Sequence, residues 1–213
     1  MTPTPHFIPP CIPSLAKSLP TGPGWLHEPK LDGWRIQLIK AGDRLALFTR
    51  NGNDITARLL RLVEALGALP VRSCIIDGEL VADEGDRIGN VFSINRAIGD
   101  GRDDLCSVLA FDLLHCDGDD LRSLPLIDRK NALDALLATA SIPALSYVAP
   151  HRDGARLFTT VDELGLEGVV SKRAAAPYRS GRRGEWVKVK CQRWLEANRE
   201  RWRIFQRPVE GAS

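Results

Sequence analysis

Apolar and polar positions along the chain follow two periods, and the switches between them mark out the elements. From Trp25 the period is two. Trp25 to Glu28 reads as a strand, Trp34 to Lys40 as a second with Trp34, Ile36 and Leu38 on one face, and Leu45 to Thr49 as a third after an Ala41-Gly42-Asp43 hairpin turn. Lys30 and Asp32 then fall in a tight connection between the first two strands. After the Asn51-Gly52-Asn53-Asp54 turn the period lengthens: Thr56 is placed to cap a helix with Leu59, Leu60, Leu62, Val63 and Leu66 on one side, ended by Pro70. Cys74 to Ala82 and the apolar run Val108 to Leu114 read as strands, and Asp128 to Ala138 as a helix with Leu133, Leu136 and Leu137 inward. A helix opens at Asp153 or Gly154 and runs to about Leu164, followed by strands at Gly168 to Lys172 and Trp186 to Lys190. The elements interleave without a regular βαβ rhythm, which predicts an α+β fold of antiparallel sheets flanked by helices.

A chain of 213 residues, 44% hydrophobic and 26% charged, can bury a real core, and its composition excludes disordered and collagen-like classes. Three regions are expected: a Pro-rich leader packed on the domain over residues 1–24, the domain itself over 25–191, and a basic tail over 192–213. In the tail, Trp194, Leu195, Asn198, Trp202 and Phe205 fall near helical spacing; packing on the domain is the expected role of the two tryptophans, contact with DNA or a partner the alternative. No apolar stretch reaches the roughly 20 residues of a membrane helix, and Met1 to His6 carries no signal-peptide pattern. A cytoplasmic protein with no membrane contact is expected. The five cysteines are odd in number and never form C-x-x-C, which points to reduced thiols and away from zinc. The net charge of +2 hides an asymmetry, because Lys172 to Arg207 holds twelve Lys or Arg against three Glu, a local +9, and the remainder carries −7. Such a segment suits a polyanion, either nucleic acid or the phosphates of a nucleotide; a solvated basic face is the plainer reading.

Glu28-Pro29-Lys30-Leu31-Asp32-Gly33-Trp34-Arg35 is the most suggestive chemical cluster. A lysine in such a turn, beside an acid, a glycine that lets backbone approach and an arginine, can serve as a nucleophile facing a bound anion. Alone, the cluster is also an ordinary surface turn. Five further segments change that: Phe48-Thr49-Arg50-Asn51-Gly52, Asp77-Gly78-Glu79-Leu80, Ala110-Phe111-Asp112-Leu113-Leu114, Glu167-Gly168-Val169-Val170-Ser171-Lys172 and Trp186-Val187-Lys188-Val189-Lys190. With Lys30-Leu31-Asp32-Gly33-Trp34-Arg35 they resemble, in order, the motifs of the covalent nucleotidyltransferases: ATP-dependent DNA ligases, RNA ligases and mRNA capping enzymes. Tyr178-Arg179-Ser180-Gly181-Arg182 narrows the resemblance to the ligase domain of bacterial end-joining ligases.

The resemblance implies an ATP-grasp-like adenylation domain in which Lys30 attacks the α-phosphate of ATP, releases pyrophosphate and carries AMP as a phosphoramidate. AMP then passes to the 5′-phosphate of a DNA nick or break, and the 3′-hydroxyl displaces it. On the same basis Glu28 stands at the adenine edge, Phe111 stacks on the purine, Glu79 binds the ribose, and Arg35, Arg50 and Arg182 reach sugar, phosphate or the DNA terminus. Lys188 and Lys190 point to one face of their strand at the α-phosphate, and Glu167 holds Mg²⁺. Taken singly, Phe111 would be core, Glu79 an exposed strand carboxylate, and Lys188 and Lys190 a solvated face. Arg183 is placed equally for phosphate and solvent.

After Lys190 the resembling ligases enter an oligonucleotide-binding (OB) barrel. This chain keeps Cys191-Gln192-Arg193 and then departs, and about 20 residues cannot form that barrel. The expected function is therefore the adenylation step of an ATP-dependent DNA ligase acting in repair, with full sealing in doubt. The alternatives are an RNA-end nucleotidyltransferase, or a truncated domain that binds nucleotide or DNA without sealing. Expected partners are nicked or broken double-stranded DNA and a Ku-type end-binding protein, in a bacterial cytoplasm with nucleoid association when acting.

Overall fold

Pairing between segments distant in sequence decides the architecture. The computed structural model describes residues 5–83, 85, 91–182 and 184–199. In chain order the elements are β1 (Ser14–Leu15), β2 (Trp25–Lys30), β3 (Trp34–Ala41), β4 (Arg44–Thr49), α1 (Leu60–Leu66), β5 (Ser73–Ala82), α2 (Val91–Gly99), β6 (Cys106–Cys116), β7 (Asp119–Asp120), α3 (Leu126–Ala140), β8 (Leu145–Tyr147), α4 (Gly154–Glu163), β9 (Gly168–Arg173), β10 (Trp186–Lys190) and α5 (Gln192–Ala197). One sheet has the order β1-β10-β9-β2, the other β4-β3-β5-β6-β7 with β8 beside β6. Pairing is antiparallel except for two short parallel contacts, β1 with β10 and β6 with β8. The fold is a mixed α+β arrangement, and the described residues form no closed barrel.

Three apolar clusters hold these layers. The largest lies on one face of the second sheet, where Ile36, Leu38, Ile76 and Val108 meet Leu62 and Leu66 of α1, Ile94 of α2 and Leu133 of α3. The second joins both sheets and the leader: Ile39, Ile75, Phe111 and Leu114 pack with Trp186, Tyr178, Ile8 and Cys11. The third lies under the first sheet, where Leu157 and Val161 of α4 meet Val169, Cys191 and Trp194 of α5. The strands are thus covered on both faces, and Gln37, on the face of β3 opposite Ile36 and Leu38, is buried because its amide exchanges hydrogen bonds with the backbone of Ile8. All five cysteines are free, and four are buried. Among the described residues no helix is long and apolar enough to cross a membrane.

Several expectations need correction. Lys30 is the last residue of β2, so of Lys30 and Asp32 only Asp32 falls in the connection to β3; the two strands lie in different sheets, β2 pairing with β9 and β3 with β4 and β5. Thr56 does not cap α1. Its amide and hydroxyl both donate to Asp54 Oδ1, at 2.9 and 2.5 Å, its oxygen accepts from Leu47 N, and the helix begins only at Leu60 after a 3₁₀ turn. That local bonding of side chain to neighbouring backbone competes with the helix. Helix α2 and strand β8 were not expected from the pattern. The tail helix is seen as α5 only; Trp202, Phe205 and Arg183 lie outside the described residues.

The contact of α4 with the first sheet gives a pH prediction. His27 is buried on β2, shares a 2.8 Å hydrogen bond through Nδ1 with Ser171 Oγ, and lies against Gly154, where an added Cβ would come within 2.6 Å of its ring. Burial pushes the imidazole below its ordinary 6.5; Asp153 acts against this shift and His151 with it. A histidine held neutral in the fold binds fewer protons than in the unfolded chain. Its contribution is present in full above pH 6.5 and is lost as the pH falls below that value. Denaturant midpoints measured from pH 7.5 down to 5 should fall for the parent, by at most about 1.4 kcal/mol per pH unit from this group, and fall less for His27→Asn. Parallel curves would assign the acid sensitivity to other groups.

Candidate active site

Register builds the site. On the first sheet Glu28, Val170 and Lys188 stand in one row, and Lys30, Gly168 and Lys190 in the next. Residues directly opposite on paired strands share a face, so the charged side chains of β2 and β10 converge above β9. From the second sheet Arg35 and Glu79 stand opposite one another on β3 and β5, with Phe111 on β6. Between the sheets these residues enclose a cavity of about 320 Å³, large enough for a small ligand. Glu28, Lys30, Arg35, Arg50, Glu79, Phe111, Arg182 and Lys188 all line it.

Two glycines permit this convergence. A Cβ on Gly33 would lie 2.2 Å from the carbonyl oxygen of Leu80, so only glycine lets the segment after Lys30 pass close to β5; there its amide donates to Glu79 Oε1 at 3.1 Å. Gly168 has φ of 152° and a Cβ there would sit 2.0 Å from Val189 O. With no side chain between Lys30 and Lys190, the preceding residue fills the gap: Glu167 receives Lys30 Nζ on Oε2 at 2.6 Å and Lys190 Nζ on Oε1 at 2.9 Å. Glu167 and Lys190 stand behind Lys30 and do not line the cavity.

The remaining polar groups divide into those with occupied and those with available donors. Arg35 spends its fork on Asp77, at 3.0 and 2.7 Å, and on the carbonyl of Cys11 at 2.6 Å, while its guanidinium lies 5.3 Å from the rings of both Phe111 and Trp186. It reaches the cavity as the edge of an aromatic wall. Arg50 and Arg182 lie at the rim with more exposure. Glu79 is pushed up to about 7, chiefly by burial, which Lys30 and Arg35 oppose and Glu167 reinforces. Burial, with Lys30 and Lys190 next, lowers Lys188.

Two lysines that shape the cavity have no role in the motif reading: Lys130 lies outside the motif segments, and Lys172 closes one of them. Lys130, in the second turn of α3, donates to Glu28 Oε1 at 2.5 Å and to the carbonyls of Phe111 and Val148; Lys172 donates to Glu28 Oε2 at 2.5 Å. Lys172 Nζ also lies 4.3 and 4.1 Å from the rings of Phe111 and Trp186. Glu28 is therefore a buried acceptor held between two cations, with its carboxylate facing the cavity floor. Next to Lys130, Arg129 is equally buried and clamps Asp112 at 2.8 and 2.9 Å. Charges at a helix start read as solvated, and only their burial on β6 reveals them.

The donor set can be tested for a divalent cation. Among the described residues no group of three or more His, Cys, Asp or Glu could form a cage of protein ligands. Glu167 and Glu79 are close enough to interact electrostatically and both face lysines. Magnesium commonly takes one or two carboxylates and draws its other oxygens from phosphate and water. The residues fit an ion that arrives with a phosphorylated ligand.

Comparison with known proteins agrees with this geometry. Residues 11–190 match the family model described as "ATP dependent DNA ligase domain". The chain is 37% identical over 192 residues to the "Multifunctional non-homologous end joining protein LigD" of Pseudomonas aeruginosa, covering 90% of this chain and 23% of that protein. It is 38% identical over 174 residues to "DNA ligase B" of Mycobacterium tuberculosis, covering 78% of this chain and 34% of the relative. The chain thus spans between about a quarter and a third of these relatives. Among solved structures, the ligase domain from M. tuberculosis LigD superposes with a TM-score of 0.67 at 29% identity, covering 84% of this chain and 59% of that one. A "mycobacterial DNA ligase D complexed with ATP and MES" gives 0.66 at 31% identity over 84% of this chain and 60% of the other. With the matched residues spanning both sheets and every wall of the cavity, the chain belongs to the ATP dependent DNA ligase domain family.

Proposed function

We propose that this chain forms a covalent lysyl-AMP at Lys30 and passes the AMP to the 5′-phosphate of nicked or broken DNA. The observation that carries the reading is the position of Lys30 Nζ, at the cavity edge, 20% exposed and 2.6 Å from Glu167. Its lone pair attacks the α-phosphorus of ATP, a P–N bond forms, and the P–O bond to pyrophosphate breaks. The proton shed by Nζ has Glu167 Oε2 as its nearest acceptor. Phe111 offers the purine an aromatic face, Glu28 a fixed carboxylate at its edge, and Glu79 an acceptor for ribose hydroxyls. Lys188 supplies positive charge where negative charge gathers on the phosphate, while Lys190 acts on the same centre through Glu167. Arg50 and Arg182, at the rim, suit the sugar-phosphate of nucleotide or DNA end. With nucleotide bound, Glu167 is the residue that would hold Mg²⁺, which supplies charge neutralisation at the phosphates.

DNA as the acceptor is supported by the family and by the end-joining role named for the P. aeruginosa relative. DNA repair with a Ku-type end-binding partner is the setting this suits. Intact-mass measurement after incubation with ATP and Mg²⁺ should show one added AMP. A chase with 5′-phosphorylated nicked duplex should then move AMP to DNA, and faster than to a nicked RNA duplex. No adduct would overturn the reading; preferential transfer to RNA would reassign the acceptor.

A further inference from the structure

Helix α5 begins two residues after the last motif lysine, and the family match ends at Lys190, so α5 lies beyond it. Trp194 is the buried residue of this helix, packed on Leu157, Val161, Val169 and Cys191. Its ring also meets Lys190. Lys190 Nζ lies 4.6 Å from the ring centroid and 2.9 Å from Glu167 Oε1, and its side chain is 11% exposed.

We propose that Trp194 is a positioning residue for the adenylation step, its indole face holding the Lys190 ammonium on Glu167 and thereby fixing the carboxylate that faces Lys30. The inference rests on Lys30 being the nucleotide-accepting lysine. The chain of contacts is continuous: Trp194 to Lys190, Lys190 to Glu167 Oε1, Glu167 Oε2 to Lys30. Each link has a separate cause. The Trp194–Lys190 link is the attraction of a cation to the negative face of an aromatic ring, best for tryptophan and strengthened where water is excluded. The Glu167–Lys30 link is a charge-assisted hydrogen bond and the Lys190–Glu167 link an ion pair, so each carboxylate oxygen faces its own ammonium, which restricts the rotation a singly bound glutamate would keep. The anchoring of α5 supports the role. Cys191 N donates to Glu167 O at 3.0 Å and Arg193 pairs with Asp162 of α4 at 3.4 Å, so the helix that carries the indole is tied both to the backbone of Glu167 and to the element beneath it.

The test compares Trp194→Phe, which keeps a π face, with Trp194→Leu, which keeps only apolar bulk. Unfolding midpoints identify the variants that fold. Single-turnover lysyl-AMP formation should slow by about 2- to 30-fold in the leucine variant, the range expected from one cation–π contact. The phenylalanine variant should lose less, and half-saturation by ATP should move little in either, because the indole touches no nucleotide. Independently of activity, the Lys190 side-chain Cε protons, assigned through Lys190→Arg, should be shifted upfield by the indole ring current in the parent. That displacement should shrink with phenylalanine and vanish with leucine. Equal rates in parent, phenylalanine and leucine proteins would overturn the positioning role and leave the lysyl-AMP reading intact. An unshifted Lys190 resonance in the parent would overturn the contact itself, even if the leucine variant failed to fold. A parent protein that forms no lysyl-AMP would overturn the reading on which the role depends.

Discussion

Lys30→Ala is expected to abolish transfer of label from α-labelled ATP to the protein, a loss of at least about 10³-fold, because the variant lacks the atom proposed to form the P–N bond. The fold should survive. Lys30 is the last residue of an edge strand, is partly exposed, and makes one side-chain ion pair, with Glu167. Its removal leaves Glu167 still bonded to Lys190, so no carboxylate is stranded. Intact mass after incubation with ATP and Mg²⁺, together with an unfolding midpoint near the parent's, checks both halves. Undiminished labelling would move the nucleophile elsewhere, and Lys188, the other partly exposed lysine of the cavity, would be the next candidate.

The largest loss of stability is expected from Glu28→Leu. The carboxylate is buried with Lys130 on one oxygen and Lys172 on the other. Burial alone would raise its pKa, but the two ammonium groups more than offset this and hold it below the ordinary carboxylate value. Removing it leaves two buried cations facing each other without an anion. Breaking a buried ion pair from one side costs about 3–5 kcal/mol, against roughly 5–15 kcal/mol for a whole domain. Urea unfolding should show a midpoint shift of that order. The double variant Glu28→Gln/Lys130→Met, which removes a charge of each sign, should recover part of it. A single leucine variant as stable as the parent would mean that the lysines escape to water or shed their protons, in line with the lowering that burial already imposes on Lys172.

How far the sequence discloses this molecule depends on the kind of interaction involved. Strands β3 and β10 are legible because alternation is a local property, and the placement of Lys30, Glu79, Phe111 and Lys188 around one cavity agrees with the motif order that the family match spans. Pairing is not local. Nothing in residues 25–41 shows that β2 leaves β3 for β9, more than a hundred residues away. Buried cations were invisible for a related reason: Arg129 and Lys130 follow Asp128 in a run that reads as a wet helix start, and only Asp112 and Glu28 explain their burial. Helix α2 was missed because Phe92, its most conspicuous apolar side chain, is 57% exposed and breaks the inward pattern. The joint hold of Lys30 and Lys190 on Glu167 depends on a missing Cβ at Gly168, which a motif letter records without saying what the space admits.

The sheet order also fixes when the site can come into being during synthesis. Strands β1 and β2 pair only with β9 and β10, while the second sheet is made wholly of residues between 34 and 147. A chain emerging from the ribosome can therefore complete the second sheet while β2 still waits for partners. Lys30 and Glu167 are separated by 137 positions and meet only after the ninth strand has cleared the exit tunnel. Closing so long a loop adds little to its entropic cost, which grows only with the logarithm of length, but it makes the contact late. The lysine proposed to accept AMP is therefore made before most of the domain, and the cavity it lines is complete only once β9 and β10 have followed.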